Sequence, residues 1–102
     1  MNRSFLLGVA ATLSLVAGPV LASEELLKKN ACTACHSVDK KLVGPGYKEV
    51  SAKYKGQKDA VAMLADKVKK GGQGAWGPIP MPPNPNVSDA DVNAMVKFIL
   101  AL

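Results

Sequence analysis

The chain has a single histidine and only two cysteines among its 102 residues. A structural zinc site takes four N, S or O ligands from the protein, and these three side chains do not supply them. Both cysteines fall within one short motif, so no framework of disulfides staples the rest of the chain. No segment has the strand–helix–strand pattern that accompanies a thioredoxin-like dithiol. Aromatic residues make up 5% of the sequence, and no basic stretch is interleaved with them, which leaves nucleic-acid binding without support. Internal repeats and low-complexity runs are missing. No apolar run reaches the ~20 residues needed to cross a bilayer.

What is present centres on five consecutive residues, Cys32-Thr33-Ala34-Cys35-His36. This is C-x-x-C-H, the attachment signature of a c-type haem. Each thiol adds to one of the two vinyl groups of the macrocycle, giving two thioether bonds. The residue after the second cysteine then brings its imidazole under the ring as an iron ligand. The competing readings are a structural disulfide, a redox-active dithiol, half of a zinc site, or chance. The absences above weigh against the dithiol and the zinc site, and the rest of the chain favours haem.

The N-terminus has the parts of an export signal. Arg3 is a positive n-region, and Phe5 to Ala17 is apolar apart from Gly8, Thr12 and Ser14. Gly18-Pro19 breaks the stretch and Val20-Leu21-Ala22 is a small-residue cleavage site. Residues 1–22 are therefore expected to be a signal peptide cleaved after Ala22, leaving a domain over residues 23–102 in the periplasm. The alternative, an uncleaved anchor, meets the objection that the stretch is too short to span, so no stable membrane insertion is expected after cleavage. A remaining domain of about 80 residues sits at the lower edge of what a side-chain core stabilises alone. A covalently held apolar macrocycle would complete that core.

Helical periodicity dominates the remainder. A first helix is expected from a cap at Ser23 through Leu26, Leu27 and Ala31 into the haem motif, with Glu24 and Glu25 in its first turn. Tyr47, Val50 and Tyr54 mark one face of a second helix that Gly56 ends. Val61, Leu64, Ala65 and Val68 form the stripe of a third, from about Asp59 to Lys70, stopped by Gly71-Gly72. Val92, Met95, Val96, Ile99 and Leu102 form the stripe of a last helix capped by Ser88. No strand is expected. The Gly/Pro-dense stretch from Gly71 to Val87 is too long and, with Trp76, Ile79 and Met81, too apolar for a solvated linker. It is expected to be an ordered loop over something large and flat. The fold class is all-α.

With one histidine, bis-histidine ligation is excluded and methionine is the natural second iron ligand. Met1 leaves with the signal, Met95 lies on a core stripe, and Met63 falls off its helix's stripe and is expected to face solvent. Met81 remains, in Pro80-Met81-Pro82-Pro83, where proline restricts the backbone and can hold a thioether rigidly. The competing reading of Met81 is a loop methionine that caps the core.

The whole domain resembles the short bacterial class I cytochromes c, the cytochrome c-551/c-552 group. The resemblance rests on Cys32-x-x-Cys35-His36, on Val43-Gly44-Pro45-Gly46-Tyr47, and on Trp76-Gly77-Pro78-Ile79-Pro80-Met81-Pro82-Pro83-Asn84 before the last helix. It implies a small class I cytochrome c fold, about four short helices wrapped around one covalently attached haem c. It also implies that the Pro45 carbonyl accepts a hydrogen bond from His36 and that the Trp76 indole donates to a haem propionate. Asn84 would lie near the Met81 sulfur. Trp76 is also readable as a plain core aromatic, and the two readings are compatible. Lys67 stands where some relatives carry a propionate-binding arginine, Leu27 replaces a common aromatic, and Asn84-Pro85-Asn86-Val87 is one residue longer than in some relatives.

The expected function is one-electron transfer by a monomeric His36/Met81-ligated carrier and not an enzyme. It would shuttle between an upstream quinol-oxidising complex or other cytochromes and a downstream terminal oxidase or nitrite reductase. The alternative, a haem enzyme or gas-binding sensor, needs an open or displaceable distal site, and no second histidine exists to serve it. Net charge is +5, or +4 once Arg3 leaves, with 12 Lys against 8 acidic residues. Lysines at the haem edge would steer acidic partners, but most read as solvated helix faces.

Overall fold

The computed structural model describes residues 19–102, and the apolar stretch read as the core of an export signal lies outside them. Four helices follow in order: α1 (Pro19–Lys29), α2 (Tyr47–Tyr54), α3 (Ala60–Lys70) and α4 (Asp89–Leu100). A single 3₁₀ turn (Cys32–Ala34) follows α1, and a two-stranded hairpin, β1 (Gly72–Gly74) and β2 (Gly77–Met81), joins α3 to the last segment. Among the described residues no helix is long and apolar enough to cross a membrane.

The centre of the packing is α4, which lies against α1, α2 and α3. Its expected stripe is the most deeply buried part of the chain, with Val92 and Val96 at 1% exposure and Met95 at 2%. Burying each such side chain contributes about 1.5–3 kcal/mol. Phe98, which the stripe did not include, is also buried. Ser88 caps α4 as expected, its hydroxyl accepting from the Asp91 amide at 3.2 Å. On α2, the expected face of Tyr47, Val50 and Tyr54 is buried, with Ser51 beside it. The Ser51 hydroxyl lies 3.1 Å from the main-chain oxygens of both Leu100 and Leu102 and fastens the end of α4 to α2.

Four local expectations are corrected. First, α1 begins at Pro19, so Ser23 is a buried residue within the helix and not its cap. Its hydroxyl lies 3.5 Å from the Ala94 carbonyl of α4. Second, α1 does not run into the haem motif. It ends at Lys29, Ala31 takes a left-handed conformation (φ 59°), and the motif opens on its own 3₁₀ turn. Third, Met63 is half-buried against the core and does not simply face solvent. Fourth, residues 72–81 carry the hairpin, with Gly72 paired to Met81 and Gly74 to Gly77. Two prolines in β2 have no N–H to give a ladder, so neither strand pattern nor propensity announces it. The hairpin is held instead by permissive glycines and by the Gln73 amide donating to the Pro78 carbonyl at 2.8 Å.

Candidate haem site

The 3₁₀ turn, the loop before α2, the end of α3, the hairpin and the inner face of α4 enclose one cleft, with about 1150 Å³ free of protein atoms and partly open to solvent. Cys32, Cys35, His36, Pro45, Trp76 and Met81 all line it. The sequence reading thus has six of its seven site residues on one wall system, drawn from segments far apart in the chain. Both thiols are unbridged. Burial pushes the Cys32 thiol above its ordinary value, its own backbone N–H offsets part of this, and nearby Cys35 adds to the rise. A dithiol oxidoreductase needs its nucleophilic thiol lowered, so this environment opposes that reading. No group of three or more His, Cys, Asp or Glu side chains able to hold a metal occurs among the described residues.

The imidazole of His36 is fixed from several directions. Its Nδ1 lies 2.7 Å from the Pro45 carbonyl oxygen. A carbonyl only accepts, so Nδ1 is the donor, and the neutral imidazole then keeps its lone pair on Nε2, as a metal-binding imidazole requires. The Tyr47 ring stacks on it, centroids 5.2 Å apart and planes 21° from parallel. The loop that brings Pro45 and Tyr47 here is tied to the motif by the amides of Gly44 on Cys35 O (2.8 Å), Tyr47 on Ser37 O (2.8 Å) and Lys48 on Val38 O (3.0 Å). Gly44 is required by proximity: a Cβ there would lie 2.5 Å from His36 Cε1 and 2.9 Å from Nδ1.

Two methionines line the cleft, Met81 and Met95. Met95 is 2% exposed and its sulfur receives the Asn30 amide at 3.9 Å, whereas Met81 sits half-buried at the end of β2 and its sulfur accepts no such bond from the described residues. Trp76, 37% exposed at the rim, makes an edge contact with Tyr54 and carries the Lys53 ammonium 4.6 Å above its ring. That ammonium also donates to the Ala75 carbonyl at 3.3 Å. Lys67 lines the cleft as well. Asn84 is the residue set apart. Its side-chain amide donates to Val68 O at 3.1 Å and Pro82 O at 3.2 Å, at the end of α3 and not on the cleft wall.

Two contributors escaped the sequence reading. Tyr47 was read as a helix-stripe residue and as part of the Val43-Gly44-Pro45-Gly46-Tyr47 motif, with no role at the imidazole, yet it stacks on His36. Gly44 was read as a turn residue of the same motif, yet it abuts the imidazole. Their positions flanking Pro45 were the available signal. The Tyr47 hydroxyl is buried, with no hydrogen-bond partner among the described residues. Burial, then proximity to Cys32 and Cys35, pushes its pKa well above the ordinary tyrosine value.

The wall fits a flat, apolar, covalently held macrocycle. Leu27, Val50, Leu64 and Ile99 supply apolar surface, two free thiols stand ready for thioether attachment, and one imidazole presents a lone-pair nitrogen. A small helical fold built around such a cleft and bearing C-x-x-C-H defines a covalent haem protein. A family model described as Cytochrome c matches residues 20–102. The chain is 51% identical to cytochrome c-552 of Nitrosomonas europaea over 102 residues, covering 100% of this chain and 99% of that one. It is 49% identical to cytochrome c-551 of Pseudomonas aeruginosa over 103 residues, covering 99% and 98%. The crystal structure of wild-type Nitrosomonas europaea cytochrome c552 matches with a TM-score of 0.75 and 54% identity, over 78% of this chain and 98% of that one. The chain belongs to the cytochrome c family. Its fold is the small class I cytochrome c fold, its cofactor is one covalently attached haem c, and it is a haem c electron carrier.

Proposed function

We propose that the protein is a monomeric periplasmic carrier with His36 and Met81 as axial ligands, moving single electrons between respiratory redox complexes. The observation that carries this reading is the sharing of one cleft by His36, with its Nδ1 proton given to Pro45, and Met81, a methionine whose sulfur is not already engaged by Asn30. Bound haem c supplies a reversible one-electron change at iron, and the protein supplies geometry and electrostatics. Cys32 and Cys35 hold the macrocycle. Pro45 and Tyr47 keep the imidazole from rotating, and the bond to Pro45 raises its basicity as a ligand. A thioether opposite histidine raises the reduction potential. Trp76 at the rim is read as a donor to a haem propionate. Asn84 is read as an influence on Met81, exerted through the loop that its amide fastens. A site closed on both faces leaves outer-sphere transfer as its chemistry, which favours a carrier over an enzyme or gas sensor.

Val43 and Ile79, 50% and 61% exposed, stand with Trp76 around the mouth of the cleft. An apolar rim of this kind suits brief, small contacts with redox proteins, upstream a quinol-oxidising complex or another cytochrome and downstream a terminal oxidase or nitrite reductase. The export signal over residues 1–22 and cleavage after Ala22 belong to the same reading, and the mass of the secreted haem protein tests them. The ligand assignment is tested by optical spectra of the oxidised and reduced protein beside Met81→Ala. A near-infrared thioether-to-iron band present in the wild type and lost in the variant is the expected result. A high-spin wild-type spectrum with ready carbon monoxide binding would overturn it.

A further inference from the structure

We propose that Gly71 is a positioning residue for Met81: the missing side chain at the end of α3 lets the hairpin close onto that helix, and this closure sets how firmly the thioether is retained. The proposal rests on the reading of Met81 as an iron ligand.

Gly71 follows the last residue of α3 with φ 75° and ψ −177°, a backbone region that is essentially open to glycine alone. Steric space makes a second, independent demand. A Cβ at Gly71 would run into the main-chain oxygen of Met81, and would lie 3.0 Å from Pro83 N and 3.2 Å from the Pro82 carbonyl carbon. All three are backbone atoms, and two belong to consecutive prolines whose φ is fixed. None can turn aside as a side-chain tip would, so an added methyl would move the segment that carries Met81.

That segment is fastened to α3 on both sides of Met81. Before it, Gly72 pairs with Met81 across the hairpin, and the Gly71 amide is held by Lys67 O at 2.8 Å. After it, the Asn84 amide donates to Val68 O and Lys69 O, each at 3.1 Å, and the Asn84 side chain donates again to Val68 O. These are carbonyls of the last turn of α3, which the helix cannot satisfy itself. Other glycines in the hairpin are different. A Cβ at Gly72, Gly74 or Gly77 would meet nothing within 4 Å, although Gly74 and Gly77 share the left-handed φ (99° and 115°). Gly71 alone among these four combines the strained backbone with contact to the Met81 carbonyl.

The test uses the haem-loaded ferric protein and imidazole as an external ligand that competes with a loosely held thioether. Gly71→Ala is compared with Gly56→Ala, just after α2 and off the cleft wall, which carries the left-handed backbone (φ 86°) without a clash. Gly71→Ala is expected to bind imidazole about tenfold more tightly and to weaken the near-infrared thioether band, while Gly56→Ala keeps wild-type behaviour at the iron. Equal imidazole affinity in Gly71→Ala and Gly56→Ala would overturn the proposal and leave the ligand reading standing. A wild type with no thioether band, binding imidazole as Met81→Ala does, would overturn the ligand reading and the proposal with it. Should Gly71→Ala fail to accumulate with haem, hydrogen exchange on the wild type decides. Saturating imidazole is expected to speed exchange of the Asn84 amide about tenfold, because displacing Met81 must loosen the closure. Unchanged exchange there would mean that the thioether leaves without it, and would sink the proposal.

Discussion

Adding one methyl group at Gly44 tests how tightly the histidine side of the cleft is specified. In Gly44→Ala the new Cβ would sit 2.5 Å from His36 Cε1, 2.9 Å from Nδ1 and 3.1 Å from Nε2. The imidazole cannot step back freely, because Tyr47 stacks on it and Pro45 holds Nδ1 at 2.7 Å. Either the ring rotates and gives up the Pro45 bond, or the loop carrying Pro45 moves outward. Overpacking a closely filled site costs about 1–3 kcal/mol, and a lost hydrogen bond adds about 0.5–1.5 kcal/mol. Taking about 1.5 kcal/mol as the lower end of the combined loss, and a urea m-value of about 1–2 kcal/mol/M, the midpoint of the haem protein should fall by about 0.75–1.5 M. Weakening the Pro45 bond makes the imidazole a less basic ligand, which disfavours Fe(III) and should raise the reduction potential. Gly56→Ala, off the cleft wall and with a Cβ that meets nothing, is the control and should leave the potential near wild type. A Gly44→Ala protein with unchanged midpoint and potential would show that His36 is not confined by this loop, and the reasoning would fail.

Tyr47→Phe keeps the stack on His36 and should change the alkaline limb of urea unfolding. The folded pKa of Tyr47 lies above the unfolded value, so its contribution is full below about pH 10 and falls as pH rises beyond that; the slope of stability above pH 10 should be shallower in the variant. Ser51→Ala leaves the Leu100 and Leu102 oxygens without the buried hydroxyl, and a loss of about 1–3 kcal/mol is expected from the same unfolding curves. Ser88→Ala removes the cap of α4 and should cost about 1 kcal/mol, visible as a lower thermal midpoint.

The helices were legible because each long-range partner demands an apolar face at helical spacing. Val92, Met95 and Val96 could be picked out from their spacing before any coordinates. C-x-x-C-H was legible because attachment chemistry fixes both residue type and interval. The hairpin was not, since its permissive glycines and its Pro78 and Pro80 suppress every period-2 signal, and its ladder depends on an approach to α3 that only the folded chain brings about. The break at Ala31 escaped for a related reason: alanine is a strong helix former, and only the tertiary placement of the motif drives it to φ 59°. Tyr47 shows the limit of periodicity at a site. Its spacing marks burial correctly, but burial against His36 and burial against a leucine look identical in sequence.

The two sides of the cleft are held by different physics. His36 belongs to a short loop closure. The motif, Gly44, Pro45 and Tyr47 lie within a few residues of one another, and one hydrogen bond, one ring stack and one steric stop act directly on the imidazole. Among the described residues no hydrogen bond or ring stack of that kind acts on the Met81 thioether. Its position is inherited from the backbone, through the Gly72 pairing, the Gly71 contact and the Asn84 bonds to the last turn of α3. A side chain fixed by its own contacts resists change locally, whereas one fixed through its backbone is only as firm as the element to which that backbone is tied. With His36 and Met81 as the proposed ligands, this arrangement would set one ligand by chemistry at the motif and the other by the integrity of the fold, so the geometry around iron would report on whether α3 and the hairpin are closed.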